Sequence, residues 1–208
     1  MSLLHIDSSI LGANSVSRAI SAAVVGRLRG TDENLIVVYR DLAATPVAHL
    51  SAAYLAAQAA GVQHDQMLQE DLSLGESVLD EFLAAETIVV GAPMYNFGVP
   101  SQLKAWIDRI LVAGKTFHYT ASGVEGLAGG KRVILALSRG GYYGPETVMV
   151  DCEHQESYLK AIFRFLGITD LQIIRAEGVA YGPEFREKSL QQALKEASEM
   201  RPLNLSDD

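Results

Sequence analysis

The residues best suited to chemistry in this chain form a short run, Met94-Tyr95-Asn96-Phe97-Gly98, directly behind the apolar stretch Thr87-Ile88-Val89-Val90-Gly91. Aromatic residues flanking Asn and Gly at the end of a strand can lie along a planar ring while main-chain N–H groups point at its heteroatoms. Taken alone, the run has a second reading, in which Tyr95 and Phe97 belong to the core and Asn96 serves a left-handed turn.

Two further loops share its character. Ser8-Ser9-Ile10-Leu11-Gly12-Ala13-Asn14-Ser15-Val16-Ser17-Arg18 joins the first apolar run to a helix-period segment. Ser15 and Ser17 fall where an N-cap and a first helical turn are expected, so their hydroxyls and the local N–H groups can converge on a phosphate. An ordinary serine cap is the alternative. Neither Gly-x-Gly-x-x-Gly nor Gly-x-x-x-x-Gly-Lys-Ser/Thr occurs in the chain, so a dinucleotide or triphosphate cradle of those kinds is set aside. What remains suits one terminal phosphate monoester, as in a mononucleotide. The third loop, Ser138-Arg139-Gly140-Gly141-Tyr142-Tyr143-Gly144, follows the run Val133-Ile134-Leu135-Ala136-Leu137. Adjacent glycines let backbone approach a ligand closely, and Arg139 is expected either to face the electron-rich edge of such a ring or to lie solvated on the surface.

Other chemistries find less support. The histidines, at positions 5, 49, 64, 118 and 154, show no His-x-x-x-His pairing, and no metal site is expected. Gly-x-Ser-x-Gly is missing, which leaves a hydrolase nucleophile elbow unsupported. Cys152 and His154 are two apart, a spacing that does not bring side chains together on a helix.

The elements that must position these loops read as alternating strands and helices, the pattern of repeated βαβ crossovers on a parallel sheet. Strands are predicted near Leu3–Asp7, Leu35–Tyr39, Thr87–Gly91, Arg132–Leu137 and Leu171–Ala176. Helices are predicted over Val16–Leu28, in two pieces across Ser51–Glu86, and over Pro100–Val112, Asp151–Leu166 and Pro183–Ser198. Leu103, Trp106, Ile107, Ile110 and Leu111 share one helical face. Between Lys115 and Gly130 the chain is Gly-rich and carries Phe117, His118 and Tyr119, which reads as a long functional loop. The last residues, Asn204 to Asp208, read as a frayed tail. Ligands of open α/β sheets bind at the carboxyl ends of the strands, which is where all three loops begin.

A chain of 208 residues with 49% hydrophobic and 20% charged residues fits one globular domain over positions 1–208. Its net charge of −8 and lack of a basic cluster argue against nucleic acid as a partner. An anion must then be held by backbone N–H groups rather than by lysines. With Cys152 as the single cysteine, an intramolecular disulfide is impossible and a reducing, cytoplasmic setting is expected. No secretion signal is read at the N-terminus. Residues Leu42 to His64 lack Asp, Glu, Lys and Arg but are Ala-rich and interrupted by Pro46, His49 and Gly61, so a tightly packed helix is expected there and no membrane span.

On these motifs the chain is identified as resembling the FMN-dependent azoreductase family, which lies within the flavodoxin-like fold together with the NAD(P)H quinone reductases. The resemblance runs through Asp7-Ser8-Ser9-Ile10-Leu11, Ser15-Val16-Ser17, Arg40-Asp41-Leu42-Ala43, Ala92-Pro93-Met94-Tyr95-Asn96-Phe97, Ser101-Gln102-Leu103-Lys104, Thr116-Phe117-His118-Tyr119-Thr120, Ser138-Arg139-Gly140-Gly141 and Ala176-Glu177-Gly178-Val179-Ala180-Tyr181-Gly182-Pro183. It implies a three-layer α/β/α sandwich with a five-stranded parallel sheet in the order 2-1-3-4-5. It further implies FMN held at the phosphate by Ser9, Ser15, Val16 and Ser17, and at the ring by Met94, Tyr95, Asn96, Phe97, Gly98, Ser138, Arg139, Gly140 and Gly141. Tyr119 and Phe165 are the implied substrate-side aromatics of a homodimer. NADH or NADPH would be the transient donor and quinones or azo compounds the acceptors, in two half-reactions that need no protein general base. Position 16 is Val where a polar Gln is common, leaving only its backbone for phosphate, and Gly144-Pro145-Glu146-Thr147 forms a compact version of a loop that varies with substrate. A flavodoxin-type electron carrier that docks a protein, and an α/β domain with no flavin, are the competing readings.

Overall fold

In the computed structural model, which describes residues 1–57 and 65–203, the β-branched and aliphatic runs form one parallel sheet. Its strands are β1 (Ser2–Asp7), β2 (Ile36–Asp41), β3 (Thr87–Pro93), β6 (Arg132–Ser138) and β7 (Asp170–Ala176), in the order β2-β1-β3-β6-β7. Counted along the chain, these five strands run 2-1-3-4-5, as the resemblance implies. β3 and β6 are buried at every residue, which is why they read as continuous apolar runs rather than alternating ones. β2, at the edge, is largely exposed.

Alternate residues of the strands feed two cores. Ile88, Val90, Val133, Leu135 and Leu137 pack under α3 (Gln66–Ala84), α4 (Ser101–Ile110) and α5 (Glu156–Phe165), whereas Val89, Ile134 and Ala136 pack under α1 (Val16–Arg29) and α6 (Pro183–Ser198). On α4, Leu103, Trp106, Ile107 and Ile110 are fully buried and Leu111 lies half-buried just past its end. Burial of Leu103 and Ile110 contributes about 1.5–3 kcal/mol each.

The two predicted helical pieces across Ser51–Glu86 are α2 (Ala52–Ala57) and α3, and the stretch expected between them lies outside the described residues, as does the tail from Asn204. α5 begins at Glu156 rather than Asp151, because Glu153 folds its carboxylate back onto the N–H groups of Gln155, Glu156 and Ser157 and sets the start there. The expected long loop over 115–130 is instead a hairpin, β4 (Phe117–Thr120) paired antiparallel with β5 (Gly123–Gly126). Its glycines supply the reason: Gly123 at φ 136° makes the turn, and Gly126 lies so close to Leu166 and Gly167 that an added Cβ would clash with their backbone. Among the described residues no helix is long and apolar enough to cross a membrane.

Candidate active site

Because β1, β3 and β6 are parallel neighbours, the three loops leave the sheet at one edge, beside the crossover where the chain changes direction. The first is pinned by Ser8, whose N–H and hydroxyl both donate to the Gly91 carbonyl at 3.1 and 2.8 Å. After a turn through Gly12 at φ 53°, Ser15 caps α1 by accepting from the Arg18 N–H, and its Oγ lies 3.1 Å from Ser17 Oγ. Val16 turns its side chain into the core. The N–H groups of Val16 and Ser17, in the first turn, have no acceptor inside the helix. These amides and hydroxyls fit a single phosphate group with no lysine at hand.

Arg18 shapes this cradle without being spent on an anion. Its guanidinium forms a fork on Asp41 at 2.6 and 2.7 Å and donates to the Ser9 carbonyl at 2.7 Å. The hydrogen bond to Asp41 raises the Arg18 pKa and lowers that of Asp41. Behind it the buried Asp7 accepts from Tyr39 and Ser21. Burial first, then the charges of Asp7 and Asp41, push the Tyr39 phenol up to about 12, so it stays a donor.

The second loop is a two-residue reverse turn. Tyr95 and Gly98 exchange both backbone hydrogen bonds at 3.0 and 3.1 Å, with Asn96 at φ 47° and Phe97 at φ 72°, the left-handed pair of a type I′ turn. The exchange does not use the N–H groups of Asn96 and Phe97, two residues exposed at the tip of the turn. Holding a Phe there costs roughly 1–2 kcal/mol, the kind of strain found at ligand clamps. Tyr95 OH reaches Ser9 Oγ at 3.1 Å, and Met94 N–H donates to the Ser138 carbonyl at 2.7 Å, so the three loops are joined to one another. An open cleft of about 630 Å³ over this turn is lined by Ile10, Tyr95, Asn96, Gln102, His154 and Tyr158.

The third loop corrects one expectation. The Arg139 guanidinium is not solvated: its side chain is 3% exposed and is paired with three carboxylates, Glu153, Glu156 and Glu177. A Cβ at Gly140 would press on Ala180 Cβ at 3.3 Å, but Gly98 and Gly141 are not demanded by the chain itself, since a Cβ at the first would meet nothing within 4 Å and one at the second only the Tyr143 ring at 3.5 Å. Neither has a positive φ. Their lack of side chains fits the close approach of a flat ligand.

Tyr119 and Phe165 are not brought to this cleft within one chain. Phe165 packs on Phe117 with ring centroids 4.8 Å apart, and Tyr119 stands 75% exposed on β4 beside them. Sequence reasoning also assigned no role to the Arg18–Asp41 pair, to Gln155 or to Glu177. Arg40-Asp41 and Ala176-Glu177-Gly178 were visible as motifs, but nothing local marks Gln155, whose partners Arg139 and Ala92 lie on other loops. No group of three or more His, Cys, Asp or Glu among the described residues could hold a metal ion.

Residues 1–200 match the profile described as the flavodoxin-like fold. The chain belongs to that family. Within it, the chain is 58% identical over 201 residues to an FMN-dependent NADH:quinone oxidoreductase of Bradyrhizobium diazoefficiens, covering 97% of this chain and 99% of the relative. It is 57% identical to an enzyme of the same name from Methylorubrum extorquens, again over 97% and 99% of the two chains. Among solved structures, the FMN-dependent NADH-azoreductase of Bacillus anthracis in complex with FMN superposes with a TM-score of 0.86 at 31% identity, covering 96% of this chain and 97% of that one.

Proposed function

We propose that this flavodoxin-like chain is an FMN-dependent NAD(P)H:quinone oxidoreductase that also reduces azo compounds, folded as a single domain over 1–208 and acting as a cytoplasmic homodimer. One observation carries the reading. A hydroxyl- and amide-rich cradle at Ser9 and Ser15 to Ser17 stands beside an outward-facing left-handed turn and a glycine pair, all at the carboxyl edge of three adjacent strands. The names of the relatives, FMN-dependent NADH:quinone oxidoreductase and FMN-dependent NADH-azoreductase, support it.

Ser9, Ser15, Val16 and Ser17 would hold the phosphate, with amides from Met94 to Gly98 and from Ser138 to Gly141 around the ring. When bound, FMN supplies the redox chemistry, taking up two electrons from a nicotinamide and releasing them to a flat, electron-poor acceptor. The chain's own work is orientation. The cleft over Asn96 is open, so donor and acceptor use one face in turn and protons come from water. Tyr119, exposed on the hairpin, closes over the cleft of a second copy, with Phe165 behind it.

Purified protein should be yellow, and NADH oxidation should start on adding a quinone with no other protein present. A colourless protein that takes up no FMN sinks the assignment. Flavin bound, but NADH oxidised only with a separate reductase, makes the chain an electron carrier.

A further inference from the structure

Arg139 opens the third loop yet spends its whole guanidinium inward. Nε donates to Gln155 Oε1 at 2.9 Å, Nη1 to Glu177 Oε1 at 3.1 Å, and Nη2 to Glu156 Oε2 at 3.0 Å and Glu153 Oε1 at 3.2 Å. Three of these four acceptors lead to different loops. Fully buried Gln155 passes its amide to the Ala92 carbonyl at 2.9 Å, two residues before Met94. Glu153 sets the start of α5, and the next residue, His154, donates its N–H to the Phe97 carbonyl at 3.1 Å. Glu177 accepts the Tyr143 N–H at 3.2 Å. The loop that carries Glu177 is stitched to the glycine loop by the N–H groups of Gly178, Val179 and Ala180, which donate to the carbonyls of Gly141, Arg139 and Gly140 at 3.1 Å each.

The charges in this knot balance. Glu153, Glu156 and Glu177 are matched by Arg139, Arg175 and Lys160, the last two pairing with Glu156. A guanidinium so neutralised offers little field to a ligand above the loop, whereas its rigid fork is well suited to hold several acceptors at fixed angles. We propose that Arg139 is a positioning residue: through Gln155, Glu153 and Glu177 it locks the 94–98 turn, the 138–143 loop and the 176–180 loop in register, and it does not act as a cation addressed to the ring. The inference rests on the proposed FMN site and says how that site is kept in shape. A site held in its binding geometry before the ligand arrives avoids the cost of ordering it on binding, so a lock of this kind is felt in affinity.

The test compares wild type with Gln155→Met, Arg139→Lys and Arg139→Met. FMN release on dilution of the holoprotein is followed by flavin fluorescence, the two-electron potential is measured, and the full chain is melted after FMN has been dialysed away. Gln155→Met leaves every charge in place and cuts the strut to Ala92, and we expect at least tenfold weaker FMN binding in both oxidation states. The potential then moves by less than the roughly 30 mV that a tenfold difference between the states would produce. Arg139→Lys, which keeps the charge and loses the fork, should fail to restore affinity. Unchanged affinity in Gln155→Met, with or without a lower melting temperature, overturns the positioning role. So does a potential that falls in Arg139→Met and returns in Arg139→Lys, the signature of a cation facing the ring. Should the Arg139 variants not fold, Gln155→Met decides alone. No FMN uptake by the wild type overturns the functional reading itself, a result distinct from uptake that the Gln155 variant leaves untouched.

Discussion

Phe97 sits at φ 72° with 43% of its surface exposed, a conformation that glycine would adopt without strain. Phe97→Gly is therefore expected to leave stability unchanged or raise it by up to about 1 kcal/mol, as thermal melting would show, while quinone reduction falls several-fold because the aromatic wall is gone. Lost stability with intact turnover would mean that the ring is retained for packing. Gly141 gives the complementary case. Its Cβ position is free of clashes within the chain, so Gly141→Ala should melt like the wild type yet bind FMN at least tenfold more weakly. Gly91 is different in kind: a Cβ there would sit 2.3 Å from Asp7 Oδ1, so Gly91→Ala should cost about 2–3 kcal/mol through overpacking. At this scale the sequence was legible wherever a residue's role depends on its neighbours in the chain. Ser15 as an N-cap and Asn96 in a left-handed turn are local facts. Arg139 was open between ring and solvent because its partners lie 14 to 38 residues away.

Helix α5 shows how an element's boundary and its electrostatics are set together. Glu153 caps it and Glu156 follows in the first turn, where burial alone would raise the Glu156 pKa but hydrogen bonds and charge from Arg175 and Lys160 win, bringing it down to about 2 from 4.5. A carboxylate depressed in the folded state contributes stability above its unfolded pKa and loses it as pH falls. The stability gap between wild type and Glu156→Gln should thus be constant above about pH 5 and close between 4.5 and 2, measurable by denaturant melts across that range. A gap that persists at pH 2 would assign the effect to packing. Among the described residues, the hairpin β4–β5 was misjudged in type. Its strands are four residues each and too short to show an alternation, and what holds it is the close backbone approach of Gly126 to Gly167. Gly126→Ala should lift the hairpin from the end of α5 and carry Tyr119 with it.

For the whole molecule, one chain builds the edge of the sheet and the open cleft but leaves Tyr119 exposed away from it, and the proposed homodimer supplies the missing wall. Sedimentation should find two chains per particle, and a Tyr119→Ala variant should raise the quinone KM while leaving FMN affinity within about twofold, since the residue would meet only the acceptor. A monomer with full activity would refute that arrangement. The alternation of apolar runs with helical segments, the buried character of β3 and β6, and the identity of the three loops at the carboxyl edge of the sheet were all determined by the sequence, because periodicity, capping and glycine content act over a few residues. The direction of Arg139, the pairing of Arg18 with Asp41, the Gln155 strut and the separation of Tyr119 from the cleft were decided only by tertiary structure. Each depends on which distant segments the parallel crossovers bring side by side, and a buried charge takes its orientation from the partners it finds there.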